Sequence, residues 1–196
     1  MARMWPILAL CLCVGCASST TQVDTLNDTE TTVSFDWRDL DGAASQLSQS
    51  LLASPRIGAT AEKPALVVFG RLDNDTCQHL DADLITQKIA EALLLSERFQ
   101  VAATFGATRD DTIADVRAVR GNDEFDASTL QAKGNLRAPD LSLTGKLTQR
   151  NVRRDNGGLR IEYFPTLKAT RLSDGVTIWQ DSCQVVKAVA EGMPVW

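Results

Sequence analysis

The sequence predicts a single α+β domain, in which a mixed, mostly antiparallel sheet carries helices packed on it. Three observations lead to this class. Apolar residues recur at spacings of three and four between residues 40 and 52, which is the period of an amphipathic helix. Residues 63–70 are apolar on both faces, as in a central strand covered by helices. Residues 141–180 largely alternate apolar and polar side chains, which indicates half-buried strands joined in a C-terminal meander.

Two longer helices are predicted in the first half of the domain. The first begins with the acids Asp36 and Asp39, which suit the positive end of a helix dipole, and it ends before Pro55. The second is capped by Asp81 and continues to Leu95. Both carry an apolar stripe, so both are expected to pack on the sheet.

Shorter elements follow the second helix. A strand is predicted over residues 98–104 and a short helix over 110–120. Another helix is predicted over 127–133, with Gly134 closing it as a C-cap. Three strands then complete the domain, at residues 141–148, at 159–170 and from residue 176 onward, and tight turns at 155–158 and 173–175 join them.

The N-terminus has the pattern of a lipoprotein signal peptide. Arg3 precedes an apolar run over residues 7–14, which is shorter than the ~20 residues that a transmembrane helix needs. The run ends in Val-Gly-Cys, which resembles the lipobox of bacterial lipoproteins. Residues 1–15 are therefore predicted to be removed and Cys16 to be acylated. Ala17, in place of Asp, implies sorting to the outer membrane, and the alternative is an ordinary signal peptide with an incidental cysteine.

The rest of the chain divides by composition into a tether, a domain and a tail. Residues 16–34 are the predicted lipidated N-terminus and flexible tether, because they hold too few large apolar residues to form a core. About 18 residues reach roughly 60 Å when fully extended. Residues 35–188 form the predicted globular domain and 189–196 a C-terminal tail.

The charge balance argues against nucleic acid as a partner. The net charge is −5, and loss of Arg3 with the signal peptide makes the remaining chain more acidic. Against that background Arg150, Arg153 and Arg154 form a basic cluster beside a predicted turn. The cluster is a candidate contact for an acidic partner protein. The alternative is a solvated hairpin tip without a binding role.

Candidate catalytic and metal-binding residues are few. His79 is the only histidine, which argues against a histidine-based triad or a multi-histidine metal site within one chain. Asp73 and Asp75 resemble the start of a calcium loop, but the required glycine and closing glutamate are absent. Asp81 and Asp83 are better explained by helix capping than by paired-carboxylate chemistry. The sequence therefore predicts no catalytic residue, metal or cofactor.

Two cysteines remain after the predicted cleavage site besides Cys16. Cys77 follows the central strand and Cys183 lies in the last predicted strand. An even number of thiols in an oxidising periplasm favours a disulfide between them, and two reduced thiols are the alternative.

Several segments together resemble the LpoB family of penicillin-binding protein activators. They are residues 63–74, the helix with the residues that follow it at 84–99, the strand 143–147, and the closing stretch 172–180. The resemblance covers roughly residues 36–187. It implies an outer-membrane lipoprotein facing the periplasm, which stimulates a bifunctional peptidoglycan synthase of the inner membrane by binding it and has no active site.

The same resemblance bears on the thiols and on the alternative function. The family sheet would place the strands that carry Cys77 and Cys183 next to each other, within bridging range. Related sheets also occur in lipoproteins of outer-membrane secretion and assembly complexes. A component of such a complex is therefore the alternative to a synthase activator.

Overall fold

The computed structural model describes residues 32–155 and 157–189. The predicted signal peptide, Cys16, most of the tether and residues 190–196 lie outside this range. Within it the chain forms three α-helices and six strands. In chain order these are α1 Trp37–Ala53, β1 Ala65–Asp75, α2 Ala82–Leu95, β2 Phe99–Val101, α3 Thr112–Ala118, β3 Leu141–Arg153, β4 Leu159–Arg171, β5 Thr177–Ser182 and β6 Val185–Val189.

The start of α1 is fixed by a capping box. The Asp36 carboxylate accepts hydrogen bonds from the backbone N–H groups of Arg38 and Asp39, and the Asp39 carboxylate accepts one from the N–H of Asp36. These bonds satisfy N–H groups that have no partner inside the helix. The helix ends at Ala53, just before Pro55, as its sequence predicts. Its buried stripe consists of Ala43, Ala44, Leu47, Ser48 and Leu51.

The sheet is mixed and mostly antiparallel, as predicted. The strand order is β2-β1-β3-β4-β5, and β6 also pairs with β4. β1 runs parallel to both β2 and β3, whereas every pair that involves β4 is antiparallel. β3 and β4 form the longest hairpin, in register from Leu141 opposite Arg171 to Arg153 opposite Leu159.

One face of the sheet and the helices α1 and α2 enclose the core. Tyr163, Leu143 and Leu167 are almost completely buried on this face, opposite Leu47 and Ile89 of the helices. Because side chains alternate along a strand, the other side chains of β3 and β4 point to the opposite face. Several of those are polar and half-buried or exposed. The sheet therefore has a helix face and an open face.

The open face is covered at one end by a loop rather than by helices. Leu66 and Val68 of β1 are buried there against Ala102. The loop fits closely because Gly106, at φ 73°, has no side chain: a Cβ there would lie 1.9 Å from the Phe69 carbonyl oxygen. The apolar run of β1 was expected to be covered by helices; α1 and α2 cover its helix face, and this loop covers its open face.

Two further predictions differ from the structure. The helix expected over residues 127–133 is absent, because Asp126 accepts hydrogen bonds from the N–H and the hydroxyl of Ser128 and forms a turn. No residue of 127–133 is buried, so no packing favours a helix there. β6 was not predicted. The side chains of Val185, Lys187 and Val189 share the helix face of the sheet. A lysine between two valines on this face interrupts the apolar alternation that predicts a half-buried strand.

Candidate functional site

The predicted basic cluster lies at the tip of the β3–β4 hairpin. Arg153 is the last residue of β3, and Arg154 begins the turn that follows. The Arg154 N–H donates to the Gly158 carbonyl at 2.9 Å, and the Gly157 N–H donates to the Arg154 carbonyl at 3.1 Å. Gly157 has φ 79°, which glycine adopts without strain. The tight turn holds the arginines in an exposed position at the far end of the longest strands.

The hairpin distributes these arginines over both of its faces. Arg150 and Arg153 are three residues apart on one strand, so their side chains point to opposite faces of the sheet. Arg160 of β4, opposite Val152, shares the open face with Arg150. We define the basic tip as Arg150, Arg153, Arg154 and Arg160. It borders a shallow depression of about 420 Å³.

One arginine of the basic tip is neutralised by a buried acid. Arg160 Nη2 lies 2.7 Å from Glu162 Oε1, and the Glu162 side chain is only 6% exposed. Within the described residues, no carboxylate comes within 4 Å of the guanidinium nitrogens of Arg150, Arg153 or Arg154. Within the basic tip, these three arginines are therefore the positive groups that no described carboxylate neutralises. The alternation along residues 159–170 could have placed Arg160 and Glu162 together, but the sequence analysis did not single them out.

The aspartates of the candidate calcium loop are engaged in ion pairs on the open face. Asp73 Oδ1 lies 2.6 Å from Arg71 Nε, and Asp75 Oδ2 lies 2.7 Å from Lys146 Nζ. His79 is exposed in the loop that follows β1. Among the described residues, no group of three or more His, Cys, Asp or Glu side chains is arranged to hold a metal ion.

The remaining candidate acids serve as helix-capping groups. Asp81 is the N-cap of α2, and its side chain accepts a hydrogen bond from the Asp83 N–H at 2.9 Å. Both side chains are exposed. This geometry agrees with the capping interpretation of the two acids.

No disulfide joins Cys77 and Cys183 in the structure. The strands that precede them, β1 and β5, are separated in the sheet by β3 and β4, so the expectation that these strands are neighbours is wrong. The disulfide itself stays a prediction. Cys183 also lies between β5 and β6 rather than in a strand, with its N–H donating to the Pro165 carbonyl.

The two thiols have different surroundings. Cys77 is exposed, and its sulfur lies 3.1 Å from Gln149 Oε1. Cys183 is buried, and burial raises the pKa of its thiol above the ordinary value because a thiolate is poorly solvated there.

A polar network holds the start of the described chain against the sheet. Gln78 Nε2 donates to the Tyr163 hydroxyl at 2.7 Å, and the Phe35 N–H donates to Gln78 Oε1 at 3.1 Å. The Phe35 ring packs against the Tyr163 ring with centroids 5.3 Å apart. Burial raises the pKa of Tyr163, which keeps its hydroxyl protonated. The hydroxyl of Thr32, the first described residue, donates to the Asp36 carboxylate.

Lys187 connects β6 to the start of α1. Its Nζ lies 2.7 Å from Asp39 Oδ2 and 3.6 Å from Asp36 Oδ2, and all three side chains are less than 18% exposed. Burial by itself raises the pKa of Asp36. The hydrogen bonds from the Asp39 N–H and Thr32, with the charge of Lys187, outweigh it and lower the pKa below the ordinary 3.8.

Two apolar grooves open on the surface. The end groove, of about 780 Å³, lies where β1 and β3 begin and β4 ends, and its apolar lining includes Val68, Phe105, Leu141, Leu172 and Ile178. The helix groove, of about 230 Å³, lies between α1 and α2 and is lined by Trp37, Leu40, Asp41, Leu84, Gln87, Lys88 and Glu91. Neither groove was predicted, since their exposed apolar residues come from different elements.

Comparison with known families decides the assignment. The sequence profile described as peptidoglycan-synthase activator LpoB matches residues 39–185, which is most of the chain. The chain belongs to the LpoB family. The matched range contains α1 from its third residue, α2 and the sheet through the first residue of β6, so it covers almost the whole described fold. The expected resemblance is confirmed, and membership supports a regulatory role in peptidoglycan synthesis.

Solved structures of LpoB proteins are among those similar to this family member. The LpoB C-terminal domains from Escherichia coli and Salmonella enterica share 14% and 17% identity with it. Each match covers 75% of this chain and 98% of the other, with a TM-score of 0.47. An NMR structure of E. coli LpoB shares 14% identity, covering 95% of this chain and 90% of the other, with a TM-score of 0.42. No curated protein matches the sequence. The family assignment therefore rests on the profile match.

The described residues contain no helix that is both long and apolar enough to cross a bilayer.

Proposed function

We propose that this LpoB family member is an outer-membrane lipoprotein that binds and activates a bifunctional penicillin-binding protein, the synthase, without catalysis of its own. The observation that carries the proposal is the family match over residues 39–185. The sequence supports the anchor, because a lipobox-like Val-Gly-Cys ends a short apolar run and makes Cys16 the acylated residue. The domain would then face the periplasm.

The basic tip is the part of the surface that we assign to the synthase contact. Arg150, Arg153 and Arg154 are exposed, and no carboxylate of the described residues neutralises them. The chain as a whole carries a charge of −5, so an acidic patch on the partner would be attracted to this tip and repelled by most of the remaining surface. Such charge complementarity sets the orientation of docking and the association rate.

Charge reversal at the tip tests this contact. In Arg150→Glu/Arg154→Glu, association with the purified synthase should slow at least about tenfold at low salt, because electrostatic steering raises association rates by 10-fold or more. The salt dependence of association should also shrink. Folding should be retained, since exposed charge changes usually cost within about 0.5 kcal/mol.

A matched control separates a local contact from a change in net charge. Arg56 and Lys133 are exposed basic residues outside the tip, and Arg56→Glu/Lys133→Glu changes the net charge by the same amount. The control should leave association nearly unchanged. Equal slowing by both variants, or by neither, would remove the basic tip from the interface. A synthase that binds neither variant nor the unaltered protein would contradict the proposed partner itself.

A further inference from the structure

The open face of the sheet carries a polar groove of about 400 Å³, which crosses β1, β3, β4 and β5. The cations and uncharged hydrogen-bonding side chains of its lining are Arg71, Thr144, Lys146, Thr166, Lys168 and Gln180. We call this surface the open-face groove. None of the described residues that line it is hydrophobic, in contrast to the end groove and the helix groove. A ligand that fits it is therefore polar.

The register of the strands arranges these side chains in two rows. Thr144, Lys168 and Gln180 lie directly opposite one another on β3, β4 and β5, and this row is about 10 Å long. Lys146 and Thr166 form a second row, two residues further along their strands and about 7 Å away. Polar groups spread over this length suit a chain of repeated polar units better than a single compact molecule.

A β-bulge in β1 shapes one end of the open-face groove. The register of β1 against β3 shifts between Phe69 and Leu72, so the bulge contains Gly70 and Arg71. Gly70 allows the bulge to lie close to β3, since a Cβ there would lie 2.7 Å from Thr144 Cγ2. Bulges redirect side chains and are common next to active sites. Here the bulge places the guanidinium of Arg71 at the groove.

Four side chains of the groove have no partner in the described part of the chain. The hydroxyls of Thr144 and Thr166, the amide of Gln180 and the Nζ of Lys168 make neither a hydrogen bond nor an ion pair there. Hydroxyl and amide groups both donate and accept hydrogen bonds, which matches the hydroxyl groups of a glycan. Phe164, two residues before Thr166 on the same face, is half-buried and offers a ring for the apolar face of a sugar.

Three cations favour a ligand that also carries carboxylates. Arg71 Nε lies 2.6 Å from Asp73 Oδ1, and Lys146 Nζ lies 2.7 Å from Asp75 Oδ2. All four side chains are more than half exposed, and exposed ion pairs are weak, so a ligand carboxylate can share either cation. Lys168 has no described carboxylate within 4 Å. The groove therefore attracts an anionic ligand although the chain as a whole is acidic.

We propose that the open-face groove binds a carboxylate-bearing glycan strand, with Thr144, Thr166 and Gln180 on sugar hydroxyls and Lys168 on a carboxylate. The inference rests on the proposed function, because a peptidoglycan synthase makes a polymer that combines sugar hydroxyls with the carboxylates of its stem peptides. Lys168 lies opposite Thr144, six residues or about 20 Å from Arg150, the nearest residue of the basic tip. One molecule can therefore hold the strand and the synthase at separate surfaces.

Methyl and side-chain amide NMR spectra of the full chain, purified from membranes in detergent, test this site. The probe is soluble peptidoglycan fragments of several disaccharide units with intact stem peptides. They should shift the methyl signals of Thr144 and Thr166 and the amide signal of Gln180. Lys168→Glu should weaken binding at least about tenfold, because it replaces an attraction to a carboxylate by a repulsion. Lys133→Glu, a matched change at an exposed lysine outside the groove, should leave binding unchanged.

Two further probes define the ligand class. An uncharged oligomer of N-acetylglucosamine should bind more weakly than the fragments, and polyglutamate, which has carboxylates but no sugar, should not shift the Gln180 signal. Absence of shifts with the peptidoglycan fragments, or unchanged binding by Lys168→Glu, would overturn the proposal. Equal binding of the uncharged oligomer, or equal shifts with polyglutamate, would overturn it as well.

The same variants separate this site from the synthase contact. Lys168→Glu should activate the synthase as the unaltered protein does, and Arg150→Glu/Arg154→Glu should still bind the fragments. Failure of the unaltered protein to bind fragments, with normal synthase activation, would overturn the glycan site alone. Fragment binding without synthase activation would contradict only the proposed function.

Discussion

At the scale of single residues, the two cysteines are distinguished by exposure. Cys77 should react quickly with a thiol reagent in the folded protein, whereas burial and a raised pKa should make Cys183 react slowly. Denaturation without reductant should make both reactive. The measurement is a thiol titration in native buffer and in denaturant, on protein taken from the periplasmic side of the envelope. Failure to detect either thiol in denaturant would mean that both are oxidised, as in the predicted disulfide.

Asp36 makes a second prediction at this scale, because its interactions lower its pKa below 3.8. A carboxylate with a lowered pKa stabilises the folded state above its unfolded pKa, and this contribution disappears as pH falls through the lower, folded pKa. Asp36→Ala should cost about 1 kcal/mol at pH 7, as for other N-caps. Urea unfolding should show a smaller difference from the unaltered protein below pH 3. A difference that is constant from pH 7 to pH 2 would contradict this account of the cap.

At the scale of elements, the loop that covers the open face depends on Gly106. A Cβ at this position would lie 1.9 Å from the Phe69 carbonyl oxygen, so Gly106→Ala must displace the loop. Gly121→Ala is the matched control, since Gly121 also has a positive φ, of 87°, but no described atom within 4 Å. Gly106→Ala should be less stable than the control by about 1–3 kcal/mol, as for other overpacked sites. Equal free energies of unfolding would mean that the loop does not pack against β1.

The elements also show which parts of the fold the sequence could predict. α1, α2, β3 and β4 have clear periods and recognisable ends, such as Asp36 before α1, and all four were predicted. β6 was missed because Lys187 lies on the helix face of the sheet, where an apolar residue is expected. A lysine is stable at this position because it pairs with Asp36 and Asp39, which are far away in the sequence. The loop over β1 was also missed, because Gly106 and the Phe69 residue that it contacts are far apart in the sequence. Arg150, Arg153 and Arg154 of the basic tip were predicted to cluster beside a turn, but Arg160 and the distribution of the arginines over two faces were not.

At the scale of the whole molecule, the proposed lipid anchor and the domain should have separable roles. Cys16→Ala should abolish incorporation of labelled fatty acid and remove the protein from the outer-membrane fraction. The folded domain should remain, because the core consists of residues between Phe35 and Val189, far from Cys16 in the sequence. The measurement is metabolic labelling combined with membrane fractionation. Continued labelling and outer-membrane fractionation of the Cys16→Ala protein would contradict the lipoprotein assignment.

The central claim is activation by binding, and the rate of glycan polymerisation by a purified bifunctional penicillin-binding protein tests it most directly. With increasing amounts of this protein, the rate should rise and then saturate, because each synthase has a limited number of binding sites. The same saturation should occur with His79→Ala and with Asp81→Ala, since binding requires neither group. The protein alone should release no product from cell wall. A synthase rate that stays constant while the protein is shown to bind, or turnover of cell wall by the protein itself, would contradict the account.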